Sequence, residues 1–380
     1  MVKFIEKQTK SILNKQKFID GWFWTQYSIN PYNGCMFGCV YCDARSDHYH
    51  MPEDFENEIV IKQDVGKMLD QRLSRARTLL PDVVGMGGVT DSYQAAERKF
   101  GNSRQILEVL AKHRYPVHLF TKSTWVTKDL DLLEEIAQQT WCTVSITITT
   151  MDADVASFLD KRAPSPQKRL ATLAEIKEKA PHVQAGISFI PMVPFLADSS
   201  EAFKAMVTES KAAGADYMLF GGGMTLRNKQ ALWFLQNLKE RYPELIEPYS
   251  RLYRFTVGAD EYNGRYYPSS DYFKPKHRQL LALCDAAQLP YRIKRFIPND
   301  YRRTNYRIAE QLLNEAYRQQ MVGKPYENLH WAGQNIQNLK EPIEAIAARG
   351  ELTTIRNVRG PILEKVTQLL QQFTPHPPEK

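Results

Sequence analysis

Cysteine is scarce in this sequence, with five in 380 residues. So few across so long a chain exclude a disulfide-stapled scaffold. Long apolar runs are missing as well. None reaches the ~20 residues that a membrane-spanning helix needs, so no membrane partner is expected. The first twenty residues are basic but broken by Lys, Gln and Asn every few positions. They lack the apolar stretch of a secretory signal, so the expected compartment is the cytoplasm. Repeats of fixed period and low-complexity tracts are missing too. So is an acidic excess: the formal net charge of +7 suits a polyanionic partner without requiring one.

What remains is an ordinary globular composition. A hydrophobic share of 43% supports a sizeable core, and the length gives room for one large domain and a smaller one. Short β-branched runs at 27–32, 83–87, 117–121, 143–149, 184–190 and 217–221 read as strands. Amphipathic stretches at 59–76, 103–112, 128–138, 166–179, 199–213 and 229–241 read as helices between them. Ser199 or Ser200 can cap the fifth helix, and Gly214 can end it. Six strand–helix units in strict alternation predict a parallel α/β sheet with right-handed crossovers. Six are too few to close an eightfold barrel, so the expected fold is an open, partial (β/α)6 barrel. Its chemistry should sit at the carboxyl ends of the strands. After about residue 241 the rhythm breaks. The expected organisation is an N-terminal extension over 1–24 and the barrel over 25–241. A Tyr- and Arg-rich segment over 242–300 completes it, and an all-helical region with a proline-bearing tail covers 301–380.

Three of the five cysteines, Cys35, Cys39 and Cys42, fall within eight residues in the string NPYNGCMFGCVYC. Cys142 and Cys284 stand alone in apolar or helical surroundings and read as small buried hydrophobes. The C-x3-C-x2-C spacing supplies three thiolates on a short loop. Three thiolates can hold three irons of a cubane and leave the fourth open to a chelating substrate. Gly34 and Gly38 allow a tight backbone turn around such a group. The alternative is a zinc site completed by His48 or His50, although structural zinc usually pairs two knuckles across a longer gap.

With Tyr41 just before the last cysteine, the triplet resembles that of the radical S-adenosylmethionine enzymes. The strings VTDSYQAAE (89–97), FTKS (120–123) and KRAPSPQKRL (161–170) resemble the spore photoproduct lyase-like branch of that superfamily, over about residues 25–240. The resemblance implies a [4Fe-4S] cluster on Cys35, Cys39 and Cys42, and S-adenosylmethionine chelated at the open iron. Reductive cleavage would then give a 5′-deoxyadenosyl radical that abstracts hydrogen from the substrate. It also implies an electron donor such as a flavodoxin or ferredoxin. Gly87 and Gly88 would meet the methionine end, with Thr90 and Asp91 in the same loop. Lys122 would pair with the methionine carboxylate, and Ser145 would bond ribose or carboxylate. In that branch a cysteine thiol after the second strand donates hydrogen. Here Val89 stands in its place, and Tyr93 is the candidate donor instead.

The segment 346–371 resembles a helix-hairpin-helix module, whose hairpin offers backbone amides to a phosphate. Arg356, Asn357, Arg359 and Gly360 form the candidate nucleic-acid contact, although Asn357 and Arg359 replace the usual glycines. A second group, Arg292, Lys294, Arg295, Arg302, Arg303 and Arg307, is interleaved with aromatics, a pattern that suits either single-stranded nucleic acid or a salt-bridge network. The expected function is a radical enzyme, lyase-like, that repairs or modifies a base in nucleic acid. Two alternatives stand beside it: the same chemistry on a peptide or small metabolite, with the helices used for protein contacts, and a non-enzymatic zinc module.

Overall fold

A computed structural model describes residues 2–76 and 78–373; the tail expected beyond 373 lies outside them. The chain divides into two units, one formed by the residues up to Lys15 with Tyr27–Ile293, the other by Gln16–Gln26 with Lys294 onward. The extension expected over 1–24 is thus split between them.

The strands of the first unit are β1 (Lys3–Lys7), β2 (Asn14–Lys15), β3 (Tyr27–Ile29), β4 (Tyr32–Asn33), β5 (Glu58–Lys62), β6 (Val84–Met86), β7 (Val117–Thr121), β8 (Cys142–Thr147), β9 (Gln184–Phe189) and β10 (Met218–Phe220). Its helices are α1 (Val65–Ser74), α2 (Glu97–Phe100), α3 (Asn102–Lys112), α4 (Leu130–Gln139), α5 (Ala153–Leu159), α6 (Pro166–Lys179), α7 (Ser200–Ala212), α8 (Asn228–Arg241), α9 (Ile246–Tyr253) and α10 (Ser270–Ala286). The main sheet runs β10-β9-β8-β7-β6-β3-β2. Its strands β3 and β6 to β10 are parallel, and β2 pairs antiparallel at the edge. The six parallel strands stand in chain order, which is the partial barrel that the alternation predicts. Val144, Ile146 and Ile187 of its strands and Ile106, Leu110, Leu133 and Ile136 of its helices are fully buried. Each contributes about 1.5–3 kcal/mol of burial.

The local signals hold where the side chains act alone. Ser199 caps α7 by accepting the Ala202 amide at 3.1 Å, and Gly214 turns the chain at φ +80° just beyond it. Two expectations fail. The helix expected from 59 begins as β5, because Ile59 and Ile61 alternate into a small sheet of order β1-β5-β4, and only 65–74 is helical. The strand expected over 27–32 breaks at Asn30-Pro31, since proline has no amide for the ladder. Tyr32 and Asn33 pair with β5 instead.

The second unit contains α11 (Arg303–Val322), α12 (Glu327–Gln337), α13 (Ile343–Ala348) and α14 (Pro361–Phe373). Among the described residues, no helix is long and apolar enough to cross a membrane.

Candidate functional site

Parallel strands deliver their carboxyl ends to one side of a sheet, so the loops after β3, β6, β7 and β8 meet there. The cysteine loop is knitted to its neighbours mainly through the backbone. Gly34 has φ +82°, and a Cβ there would stand 2.5 Å from the Glu58 carbonyl, so only glycine fits. Its carbonyl accepts from Thr90 Oγ1 at 2.6 Å and Gln94 Nε2 at 3.1 Å. Gln94 Oε1 in turn accepts the Met36 amide at 2.9 Å. The Val40 amide bonds the Leu159 carbonyl at 3.0 Å. Asp43, just past the third cysteine, accepts from Thr225 Oγ1 and Arg227 Nε, each at 3.0 Å. Arg45 pairs with Glu56 and lies between the rings of Phe55 and Trp233, at 4.8 and 4.5 Å.

Cys35 and Cys39 are buried and Cys42 is half-buried. Burial pushes all three thiols up, Cys35 to about 12. The backbone at Phe37 and Asp91 offsets part of that rise at Cys35, and the backbone at Ala44 does so at Cys42. Lys122 follows β7 and lies close to Cys39 and Cys42, where it opposes the effect of burial on both. Burial alone would lower its pKa, but Cys39 and Asp160 outweigh that and hold the ammonium above the ordinary lysine value. Its Nζ lies 5.3 Å from the centre of the Tyr41 ring.

Tyr41 donates to Asp160 Oδ1 at 2.8 Å, and Asp160 Oδ2 meets Arg169 Nη1 at 2.7 Å. This pair is almost wholly buried, with side chains 2% exposed. Arg169 also donates to the Pro164 and Thr147 carbonyls at 2.7 and 2.9 Å. Burial would raise the Asp160 carboxyl, but Lys122 and Arg169 overcome it and hold it below its usual range. Asp160, Arg169 and Gln94 were not among the expected site residues. Arg169 lies inside the string KRAPSPQKRL and Gln94 inside VTDSYQAAE, so the signal was present without its contacts.

The loop after β6 carries most of the other expected residues. Gly87 has φ +93°, and a Cβ there would strike the Phe120 carbonyl at 2.5 Å, whereas Gly88 opens onto free space. Asp91 is buried and accepts from Thr121 Oγ1, the Lys122 amide and the Tyr93 amide at 2.8, 2.7 and 2.9 Å. Its part is to fix the start of the Lys122 loop. Val89 packs against the apolar cluster that contains Cys35, Cys39 and Tyr41.

Two expected residues are placed elsewhere. Ser145 is fully buried, its hydroxyl held by His118 Nε2 at 2.7 Å and Tyr217 Oη at 2.6 Å. Tyr93 is 1% exposed and donates to Asp129 Oδ2 at 2.7 Å, and Asp129 pairs with Arg104. Cys142 and Cys284 are buried as expected.

The donor set fits a [4Fe-4S] cluster: three neighbouring sulfurs on one short loop with a cation alongside. Each thiolate of a cubane binds its own iron, so convergence on a single point is not required. Among the described residues no three His, Cys, Asp or Glu converge on one ion, as a tetrahedral zinc would need. His48 packs edge-on against Tyr49 instead.

In the second unit, α13 and α14 flank a hairpin. Asn357 and Gly360 both take left-handed backbone, at φ +67° and +55°. Asparagine tolerates that region more readily than most residues other than glycine. Ile355 and Val358 are buried beneath the hairpin while Arg356 and Arg359 are exposed. The second basic group is divided: Lys294 and Arg303 are exposed, whereas Arg292, Arg295 and Arg302 are buried. Arg295 and Arg302 are buried, Arg295 over the rings of Trp24 and Tyr306 at 4.8 and 3.9 Å and Arg302 on Asp300. Burial against aromatics and a carboxylate is the packing reading of that pattern.

A family model for the radical SAM superfamily matches residues 29–207. A protein of Mycobacterium tuberculosis strain H37Rv, itself uncharacterized, is 31% identical over 260 residues, 67% of this chain and 71% of the relative. An uncharacterized protein of Methanocaldococcus jannaschii is 26% identical over 261 residues, 68% of this chain and 92% of its own. Among solved structures, a spore photoproduct lyase with bound AdoMet and dinucleoside spore photoproduct superposes with TM-score 0.57. It is 13% identical, covering 74% of this chain and 79% of the lyase.

Proposed function

The chain belongs to the radical SAM superfamily, and on that premise we propose that it acts on a base in nucleic acid, in repair or modification. Its cofactors are a [4Fe-4S] cluster and S-adenosylmethionine. When bound, they supply an electron and a 5′-deoxyadenosyl radical able to take hydrogen from an unactivated carbon. Cys35, Cys39 and Cys42 hold the cluster. Lys122 pairs with the methionine carboxylate as a half-buried cation, and Asp91 holds the backbone from which it extends. Gly87 and Gly88 leave room for the methionine end, and Thr90 with Gln94 keeps Gly34 in its turn. The electron comes from a donor such as a flavodoxin or ferredoxin.

The hairpin at 355–361 carries the nucleic-acid part of this reading. Two left-handed residues present its backbone, and the exposed guanidinium groups of Arg356 and Arg359 make no side-chain hydrogen bond or ion pair among the described residues. Amides and unpaired guanidinium groups at a helix start suit a phosphate. The solved lyase with a dinucleoside photoproduct bound supports the same substrate class. A lyase-like reaction here proceeds without a thiol at position 89, where valine packs against the cysteine loop.

Two measurements test the reading. Anaerobically reconstituted protein with dithionite and S-adenosylmethionine should release 5′-deoxyadenosine, and Cys39→Ala should abolish it; release at the wild-type rate by that variant overturns the cluster assignment. DNA binding at about 50 mM salt should weaken linearly in log–log salt, and reversing Arg356 and Arg359 to Glu should flatten the slope by roughly 0.9 per lost phosphate contact. No binding to DNA or RNA at that salt overturns the substrate class.

A further inference from the structure

We propose that the second unit carries, beside the hairpin, a platform on which an unpaired nucleobase stacks, with Trp331 as its main surface. The inference rests on the nucleic-acid reading above and extends it from phosphate to base.

Trp331 is 47% exposed and Phe18 45%, and the two rings meet edge to face with centroids 6.4 Å apart. Large aromatics left open in pairs are unusual, because each forfeits the apolar burial it could have made. Trp331 lies three residues after Asn328 and four before Asn335 on α12, so it shares their face. Both asparagines touch the hairpin. Asn335 Nδ2 donates to the Arg356 carbonyl at 2.9 Å, and Asn357 Nδ2 donates to Asn328 Oδ1 at 3.4 Å. The indole is therefore held next to the element with the exposed arginines.

The surroundings select the occupant. Trp331 also lines a cavity of about 260 Å3, together with Trp22, Tyr317, Tyr326 and His330. Lys17 places its ammonium 5.4 Å from the Phe18 ring centre. Glu327, one turn before Trp331, is turned back to accept the Tyr326 amide at 3.1 Å. A flat apolar face flanked by Lys17, Arg356 and Arg359 matches a nucleotide, which brings a planar base and an anion one backbone step apart. Base stacking on an aromatic ring with cations along the strand is how single-stranded nucleic acid is held without sequence readout. An apolar protein partner would leave those cations uncompensated.

The test uses the full chain and fluorescence anisotropy with three labelled probes: oligothymidylate, the same backbone carrying abasic spacers, and a blunt duplex. Wild type should prefer oligothymidylate to the duplex. Trp331→Ala should weaken oligothymidylate binding by about 5- to 150-fold, leave the abasic probe unaffected, and keep the salt slope. Trp331→Phe should retain most of the affinity. If wild type binds and Trp331→Ala binds oligothymidylate equally well, the platform is overturned while the hairpin reading stands, and Trp331 belongs to another kind of contact. Equal loss on the abasic probe also overturns it, since no base is then involved. Failure of wild type to bind any probe defeats the nucleic-acid reading itself, and the platform with it.

Discussion

Removing Asp160 should be among the costliest single changes in the first unit. Arg169 has three acceptors, Asp160 and the carbonyls of Pro164 and Thr147, and neither charged side chain reaches water. Asp160→Ala leaves the guanidinium buried without its counter-ion, which costs about 3–5 kcal/mol. Arg169→Met should cost near the lower end of that range, because Asp160 keeps Tyr41 as a donor and Lys122 as a nearby cation. The double variant removes both charges and leaves two carbonyls unmet. It should therefore cost less than the sum of the singles by about 2–3 kcal/mol. Tyr41→Phe removes one charge-assisted bond and should cost about 1.5–3 kcal/mol. Urea titration followed by circular dichroism, comparing midpoints at unchanged slope, measures all four. The same preparations should show iron per chain falling in Asp160→Ala, since Tyr41 adjoins Cys42. A single-variant cost under about 1 kcal/mol, well below the range for a broken buried pair, or strict additivity, would refute the view that this pair clamps the cysteine loop.

Three other outcomes follow from the geometry. Lys122→Met should weaken S-adenosylmethionine binding by roughly 10-fold or more, the size of a lost charge-assisted bond; equilibrium dialysis showing unchanged affinity would remove Lys122 from the site. Gly34→Ala should lower iron content after reconstitution and destabilise by about 1–3 kcal/mol, because alanine strains at φ +82°; full iron loading at wild-type stability would contradict the close approach to Glu58. His277 is buried, stacks on Phe273, and burial pushes its pKa down to about 4 from 6.5. The unfolded chain therefore takes the proton first, so this contribution to stability is intact above pH 6.5 and lost as pH falls toward 4, up to about 3 kcal/mol. Replacing it with Phe should remove that part of the acid-side loss in urea midpoints, and an identical acid limb in both proteins would count against it.

Much of this protein was legible in one dimension, because the relevant physics is local. Six β-branched runs alternating with amphipathic stretches dictated the partial barrel. Ser199 and Gly214 marked one helix end to the residue. Three cysteines within eight residues dictated that their thiols share one loop, since spacing that short leaves little freedom in where the thiols go. Local periodicity misread 59–62, where a second sheet recruited Ile59 and Ile61 as a strand. It also overran Pro31. What only the tertiary structure decided are pairings across long separations. Tyr41 with Asp160, Asp43 with Arg227, Gly34 with Gln94, and Ser145 with His118 and Tyr217 join residues from 27 to 184 positions apart. No spacing rule reaches that far. The partners of Tyr93 and Ser145 were out of reach of the sequence, which lists polar atoms without their partners, and burial is what obliges such atoms to find one.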